Sequence, residues 1–298
     1  MLRLDTILAP VDFSDMSLEA AKHAAMLARR MDAKLLLAYV RPPADLYGPA
    51  AAMAEGHTER DLEQIRQAEA KLRDWADAVW PGGAVQPLLA TGEAARQLCI
   101  LAENNAVDLV VLATHGHGGF RRFLVGSLTQ KLLHDLECPV LTGVHMECPQ
   151  AFPGKPYERI ACAVGLREKP HSEAVLRRAA DLAKRFGAEL TVLHAAPTLA
   201  YPLFPGGPVA MNVFPEEARE ALVRQRETML ADMLDDLGIE AEMDVAAEDP
   251  VEYVERAVKQ TESDLLVVGR SVRHGVFGGP HGDAYGIIRH SPVPVLSL

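Results

Sequence analysis

The stretch "VDLVVLATHGHGGFRRFLVGSLTQ", residues 107–130, decides how the chain is read. Residues 109–113 are short, uniformly apolar and valine-rich, the pattern of a strand buried on both faces of a parallel sheet. Residues 114–126 hold Gly116 and Gly126 and two arginines, Arg121 and Arg122. Ser127 followed by Gln130 predicts a capping box that opens a helix. A loop leading into a helix N-terminus presents free backbone N–H groups and the positive end of a dipole, which attract an anion. Gly116 and Gly126 let the backbone approach a ligand closely, and the arginines supply charge for a phosphate. Phosphate binding and a plain tight strand-to-helix connection are equally compatible with this spacing. The loop has no P-loop lysine, because GxxxxGK[ST] occurs nowhere in the chain. The first strand runs into "APVDFSD" (9–15) without GxGxxG, so a dinucleotide-type turn is not expected.

The same stretch recurs. "VDLVVLATHG" (107–116) matches "SDLLVVGRSV" (263–272), 156 residues on. "DAKLLLAYVRP" (32–42) matches "GAELTVLHAAP" (187–197), 155 on. "CPVLTGV" (138–144) matches "VPVLSL" (293–298), and "TILAPVDFSD" (6–15) matches "RIACAVGLRE" (159–168). Four matches in one order at nearly one offset mean a tandem duplication. We therefore expect two domains, 1–145 and 157–298. The segment 146–156 is proline-bearing and aperiodic and reads as a linker.

Within the first half, strands are expected at 4–11, 34–40, 85–90, 108–113 and 139–144. Helices are expected at 17–31, 58–79, 92–105 and 127–136. Pro87 places the third strand at a sheet edge. Strands that alternate with helices give a doubly wound α/β fold with helices on both faces, twice over. Such sheets bind ligands beyond the carboxyl ends of their strands, where strand order reverses. The loops after the first and fourth strands should therefore be neighbours.

Composition agrees. The 298 residues are 49% hydrophobic and 24% charged, with net charge −11. Residues 1–150 hold 14 basic and 19 acidic side chains, and residues 151–298 hold 16 and 22. Both halves are mildly acidic, which disfavours a nucleic-acid surface. The longest apolar runs are strand-sized, so no membrane span is expected. The opening "MLRLDTILAPVDFS" reads as a strand rather than a signal peptide, and a cytoplasmic location is expected. Cys99, Cys138, Cys148 and Cys162 lack metal spacing and read as core fillers in a reducing compartment.

"ATHG" followed nine residues later by "GS", after a buried strand, resembles the nucleotide-binding signature of the universal stress protein family. "ILAPVDFSDMSLEAAKHAAMLA" resembles the family's first segment, and "CPVL" its last strand. The resemblance covers nearly the whole chain as two tandem domains. It implies five-stranded sheets of order 3-2-1-4-5. It also implies ATP binding, with magnesium and with AMP or ADP as alternative guests. The implied site is Pro10, Val11 and Asp12 after the first strand and Val40 after the second. From the fourth strand onward it is Ala113, Thr114, His115, Gly116, Arg122, Gly126, Ser127 and Leu128. Asp12 stands near the adenine, and Ala113 replaces the signature's first glycine.

The second half departs further. Gly165 stands for Asp12, and Val272 for Gly116. The Gly126–Ser127 pair falls on Gly282–Asp283 or, with a gap, on His281–Gly282. An aspartate there repels phosphate, so the second half reads as having lost ATP binding.

The leading expectation is an ATP-binding stress-response protein whose second domain is a pseudo-dimer partner. The two last strands, 139–144 and 293–297, would pair within the chain. An unidentified protein partner would read the bound state, and homodimers are possible. Hydrolysis would be slow, since no general base is arranged. A slow ATPase or adenylyl-transfer enzyme is one alternative. A binding module for a lipid or small metabolite, walled by Tyr201, Leu203, Phe204 and Phe214, is the other. His115 and His117 lack a third metal ligand. The helix with Trp75 and Trp80 reads as packing.

Overall fold

The computed structural model describes residues 4–42, 59–113, 127–143, 157–196, 215–270 and 283–298. The chain divides into two compact units between Pro156 and Tyr157.

The first unit contains β1 (Thr6–Pro10), α1 (Asp15–Met31), β2 (Lys34–Arg41), α2 (Glu59–Val79) and β3 (Val85–Thr91). It continues through α3 (Ala94–Asn104), β4 (Leu109–Ala113), α4 (Ser127–Asp135) and β5 (Val140–Gly143). The strands stand in the order β3-β2-β1-β4-β5, and every described pairing is parallel. Ile7 pairs with Leu35 on one side and Leu109 on the other, so strand order reverses at β1, between β2 and β4. The expected doubly wound sheet is present, with the loops after β1 and β4 side by side. Pro87 lies in the edge strand β3, where its missing N–H interrupts no further ladder.

The core explains the continuous apolar strands. Ile7, Leu8, Leu35, Leu36, Leu37, Val110 and Val111 are fully buried, and each such side chain contributes about 1.5–3 kcal/mol of transfer free energy. Ala20, Ala21, Ala24 and Ala28 of α1 are also fully buried, so α1 lies close on the sheet. Ser14 caps α1 by accepting from the Ser17 N–H, which relieves an orphan helix donor. Asp32 ends α1 in the left-handed region at φ 53°.

The second unit repeats the plan. It holds β6 (Arg159–Ala163), α5 (Lys169–Phe186), β7 (Glu189–Ala195), α6 (Glu216–Leu237) and β8 (Glu242–Ala246). Then come α7 (Pro250–Gln260), β9 (Leu265–Val268), α8 (Asp283–His290) and β10 (Val295–Ser297). The order is β8-β7-β6-β9-β10. Parallel β9 and β10 are joined by Leu266 N–H to Pro294 O at 2.9 Å and Leu298 N–H to Val268 O at 2.9 Å. Cys162 is buried in β6, where desolvation pushes its thiol up to about 12.

One device is copied between the halves. Asp108 accepts from the Asp5 and Thr6 N–H groups at 2.8 and 2.9 Å. Asp264 accepts from the Glu158 and Arg159 N–H groups at 2.7 and 3.1 Å. Each aspartate ties the start of the central strand to the start of its neighbour.

The capping-box expectation turns on the residues ahead of α4, and 114–126 lie outside the described residues. Ser127 is the first described residue of α4. Thr129, Leu132 and Leu133 are its buried residues.

Candidate functional site

The carboxyl ends of β1, β2 and β4 open on a cavity of about 270 Å³. Pro10, Val11 and Asp12 come from β1, and Ala38, Tyr39 and Val40 from β2. Leu112 and Ala113 come from β4, and Ser127, Leu128, Thr129 and Leu132 from α4. Ala94 and Leu98 of α3 and Ser17 of α1 complete the lining. The structure thus brings Pro10, Val11, Asp12, Val40, Ala113, Ser127 and Leu128 around one space. Thr114, His115, Gly116, Arg122 and Gly126 lie outside the described residues, as do His117 and the wall expected at 201–214.

Asp12 is held by its own loop. Its Oδ1 accepts from the Ser14 N–H at 3.0 Å and the Ser14 hydroxyl at 2.5 Å. The Asp12 N–H donates to Ser17 Oγ at 3.3 Å, and Ser17 Oγ donates to Ser14 O at 3.0 Å. The carboxylate is therefore wired to the α1 cap. Between Asp12 and Ser14, Phe13 has φ 64°. A left-handed conformation costs a residue with a Cβ roughly 1–2 kcal/mol. Strain of this kind concentrates at functional sites.

Ala113 ends β4 with no left-handed torsion, so alanine in place of the signature glycine carries no backbone strain. At the mouth, Lys131 of α4 donates to Glu93, the cap of α3, at 3.2 Å. Glu93 also accepts from the Arg96 N–H. That backbone bond, and then Lys131, hold its carboxyl below the usual range.

The corresponding ends of β6, β7 and β9 open on a second cavity of about 330 Å³. Gly165 lines it where Asp12 lines the first, and Ala195 where Val40 does. Its carboxylate is Glu168, the residue ahead of α5, three places beyond Gly165. The β9 end carries Gly269, and an added Cβ there would lie 2.6 Å from His171 Nε2 and 2.9 Å from Val175 Cγ2. The matching ends of α1 and α5 place Ala20 at the position of Val175 and Met16 at that of His171. A methyl on β4 therefore goes with a small residue on α1, and a glycine on β9 with a branched one on α5.

His194 stands where Tyr39 stands in the first half and is 5% exposed. Its Nδ1 lies 2.9 Å from Val164 O, so Nδ1 donates. Burial lowers its pKa, outweighing that bond.

Several lining residues escape sequence reasoning. Ala94, Leu98, Thr129 and Leu132 look like ordinary amphipathic helix positions. They reach the cavity because the crossovers carry α3 and α4 over it. Tyr39 was missed as well, although an aromatic next to Val40 at the end of a strand is a signal that could have found it. Among the described residues no group of three acidic, histidine or cysteine side chains is placed to hold a metal, and no helix is long and apolar enough to cross a membrane.

Known proteins match this arrangement. A universal stress protein of Methanocaldococcus jannaschii is 35% identical over 136 residues, which is 45% of this chain and 79% of that protein. A universal stress protein of Mycolicibacterium smegmatis is 29% identical over 276 residues, covering 91% of this chain and 89% of that protein. The solved universal stress protein of Archaeoglobus fulgidus superposes with a TM-score of 0.64 at 19% identity, over 98% of this chain and 95% of its own. The Universal stress protein family profile matches twice, at residues 3–142 and 156–297. The chain therefore belongs to the universal stress protein family, as a tandem pair of its domains.

Proposed function

We propose that the first domain binds an adenine nucleotide, ATP with magnesium in the first instance, and that the protein is a regulatory one rather than a catalyst of turnover. The observation that carries this reading is the convergence of Asp12, Val40, Ala113 and Ser127 on one cavity at the reversal of strand order. Ligands favour that position in doubly wound sheets. The lining fits a base and a sugar. Val11, Val40, Leu98 and Leu112 supply apolar surface for a planar ring, and Asp12 supplies an acceptor for a ligand N–H or O–H. At about 270 Å³ the cavity sits near the small end of ligand pockets, so phosphates would extend towards the segment that carries Gly116, Arg122 and Gly126. The N-terminal end of α4 offers the positive end of its dipole to a negative group there. AMP and ADP satisfy the same lining.

The second domain is the degenerate partner in this reading, because Gly165 removes the acceptor at the position of Asp12. Occupation of the first cavity would then shift a conformational balance that an unidentified protein partner reads.

The test is calorimetric titration of the whole chain with magnesium and ATP, and with ADP and AMP in parallel. One binding event per chain, lost in Asp12→Ala and in Gly126→Val, is the expected result. Two events would assign a working site to the second domain. No heat and no competition at millimolar nucleotide would remove the reading.

A further inference from the structure

Among the described residues, four non-glycine residues have left-handed φ: Phe13, Asp32, Ala106 and Glu262. The last three lie in the turns that follow α1, α3 and α7. Phe13 alone of the four lies beside the cavity, directly after Asp12.

Its ring is held from several directions. The ring centroid lies 4.4 Å from that of Tyr39, at a tilt of 46°. Trp75 meets it edge-on at 5.2 Å. Lys71 Nζ sits 4.3 Å from the ring centroid, a cation–π distance. Lys71 and Trp75 are one turn apart on α2 and so share a helix face. Tyr39 belongs both to this cluster and to the cavity lining.

The second domain keeps a cation at this place, Arg226 of α6 near His194, but among the described residues it has neither the left-handed turn nor the ring cluster. Leu166 stands for Phe13 and has no left-handed torsion. The α6 sequence contains no aromatic residue. Its described ring pair, Tyr157 with Phe186 at 5.5 Å, sits at the amino ends of the strands instead. Among the described residues, the left-handed turn, the ring cluster and the aspartate two residues past the central strand thus occur together in one domain and are missing together in the other.

The geometry points to Phe13 as a positioning residue that couples α2 to Asp12. Tyr39, Trp75 and Lys71 hold the ring. The held ring keeps the backbone left-handed, and the left-handed turn sets the Asp12 carboxylate at the cavity wall with Oδ1 on Ser14. Movement of α2 and movement of Asp12 are then linked. The coupling itself needs no particular ligand; only its use as a reporter of nucleotide rests on the reading above.

The experiment uses the full chain with Trp80→Phe, which leaves Trp75 as the single tryptophan, excited selectively at its red edge. Asp12→Ala is expected to shift Trp75 emission and its quenching by acrylamide without any nucleotide present. Phe13→Gly and Phe13→Ala are then compared by titration with magnesium and ATP. Both remove the ring, so a packing role alone lowers thermal stability in both and leaves their affinities alike. Glycine adopts the left-handed turn freely and alanine resists it. Affinity in the alanine variant should therefore fall about five- to thirtyfold below that of the glycine variant, for the roughly 1–2 kcal/mol that handedness costs. Unmoved Trp75 emission in Asp12→Ala overturns the coupling. So do equal affinities in the two Phe13 variants. If Trp75 responds to Asp12→Ala while the unsubstituted chain binds no nucleotide, the coupling stands and the nucleotide reading fails.

Discussion

The two domains share a sheet order and an aspartate that ties the central strand to its neighbour, yet they differ where their strands end. At the first cavity Asp12 is locked to Ser14 beside a strained Phe13. At the second, Gly165 and Leu166 occupy those places without strain. Burial in the strand interiors kept both copies alike, because any change in volume there costs packing. Strand ends meet loops rather than a filled core, so they were free to diverge. The lesson is that a duplicated fold keeps its core and reassigns its rims.

Perturbations matched across the halves sharpen or break this comparison. The largest effect concerns acid. His23 is buried in α1, and desolvation lowers its pKa to about 3. The unfolded chain therefore binds a proton that the folded first domain refuses. Stability is full above about pH 6.5 and is lost as pH falls towards 3, by up to about 1.4 kcal/mol per pH unit. Arg178, the aligned residue of α5, is exposed. Denaturant titrations between pH 7 and 4.5 should show this slope for the first domain and a flatter one in His23→Leu. Equal slopes in the two proteins would mean that His23 is protonated in the folded state.

Next in size is the carboxylate. Asp12→Ala should weaken nucleotide binding about tenfold to hundredfold, the worth of a hydrogen bond to a charged group. Gly165→Asp should leave the number of binding events at one, because the second domain lacks the Ser14 lock. A second event in Gly165→Asp would show that a carboxylate alone makes the site.

The strand-end swap comes third. Gly269→Ala drives a methyl into His171 and Val175 and should destabilise the second domain by about 1–3 kcal/mol. Val175→Ala should restore part of that loss when the two are combined. Ala113→Gly in the first domain meets no such clash and should cost at most about 1 kcal/mol. Thermal unfolding of the four proteins decides the matter, and additive effects of Gly269→Ala and Val175→Ala would remove the steric account.

The smallest effect lies at the helix ends. Asp32 and Gly187 cap α1 and α5 with φ of 53° and 68°. Asp32→Gly should stabilise the first domain, and Gly187→Asp should weaken the second, each by up to about 1 kcal/mol. Chemical denaturation resolves such a difference, and effects of the opposite sign would show that the Asp32 side chain contributes more than its backbone strain.

Much of this was legible before any coordinates. Valine-rich runs alternating with amphipathic segments gave strands and helices within a few residues of those observed. Pro87 marked an edge, and the repeated motifs marked the duplication. Ala94 and Leu98 show the limit at the site. They carry no motif, and only the β3-to-β4 crossover delivers them to the cavity.

By itself the sequence determined the two α/β domains, their family and the residues that gather after β1, β2 and β4, because periodicity and local motifs depend on neighbours along the chain. Tertiary structure decided the rest. It set Phe13 between Tyr39 and α2, matched Ala113 with a small α1 residue and Gly269 with Val175, and buried His23. Each of these depends on contacts between elements brought together by crossovers, where volume and desolvation act between residues that no spacing in the sequence relates.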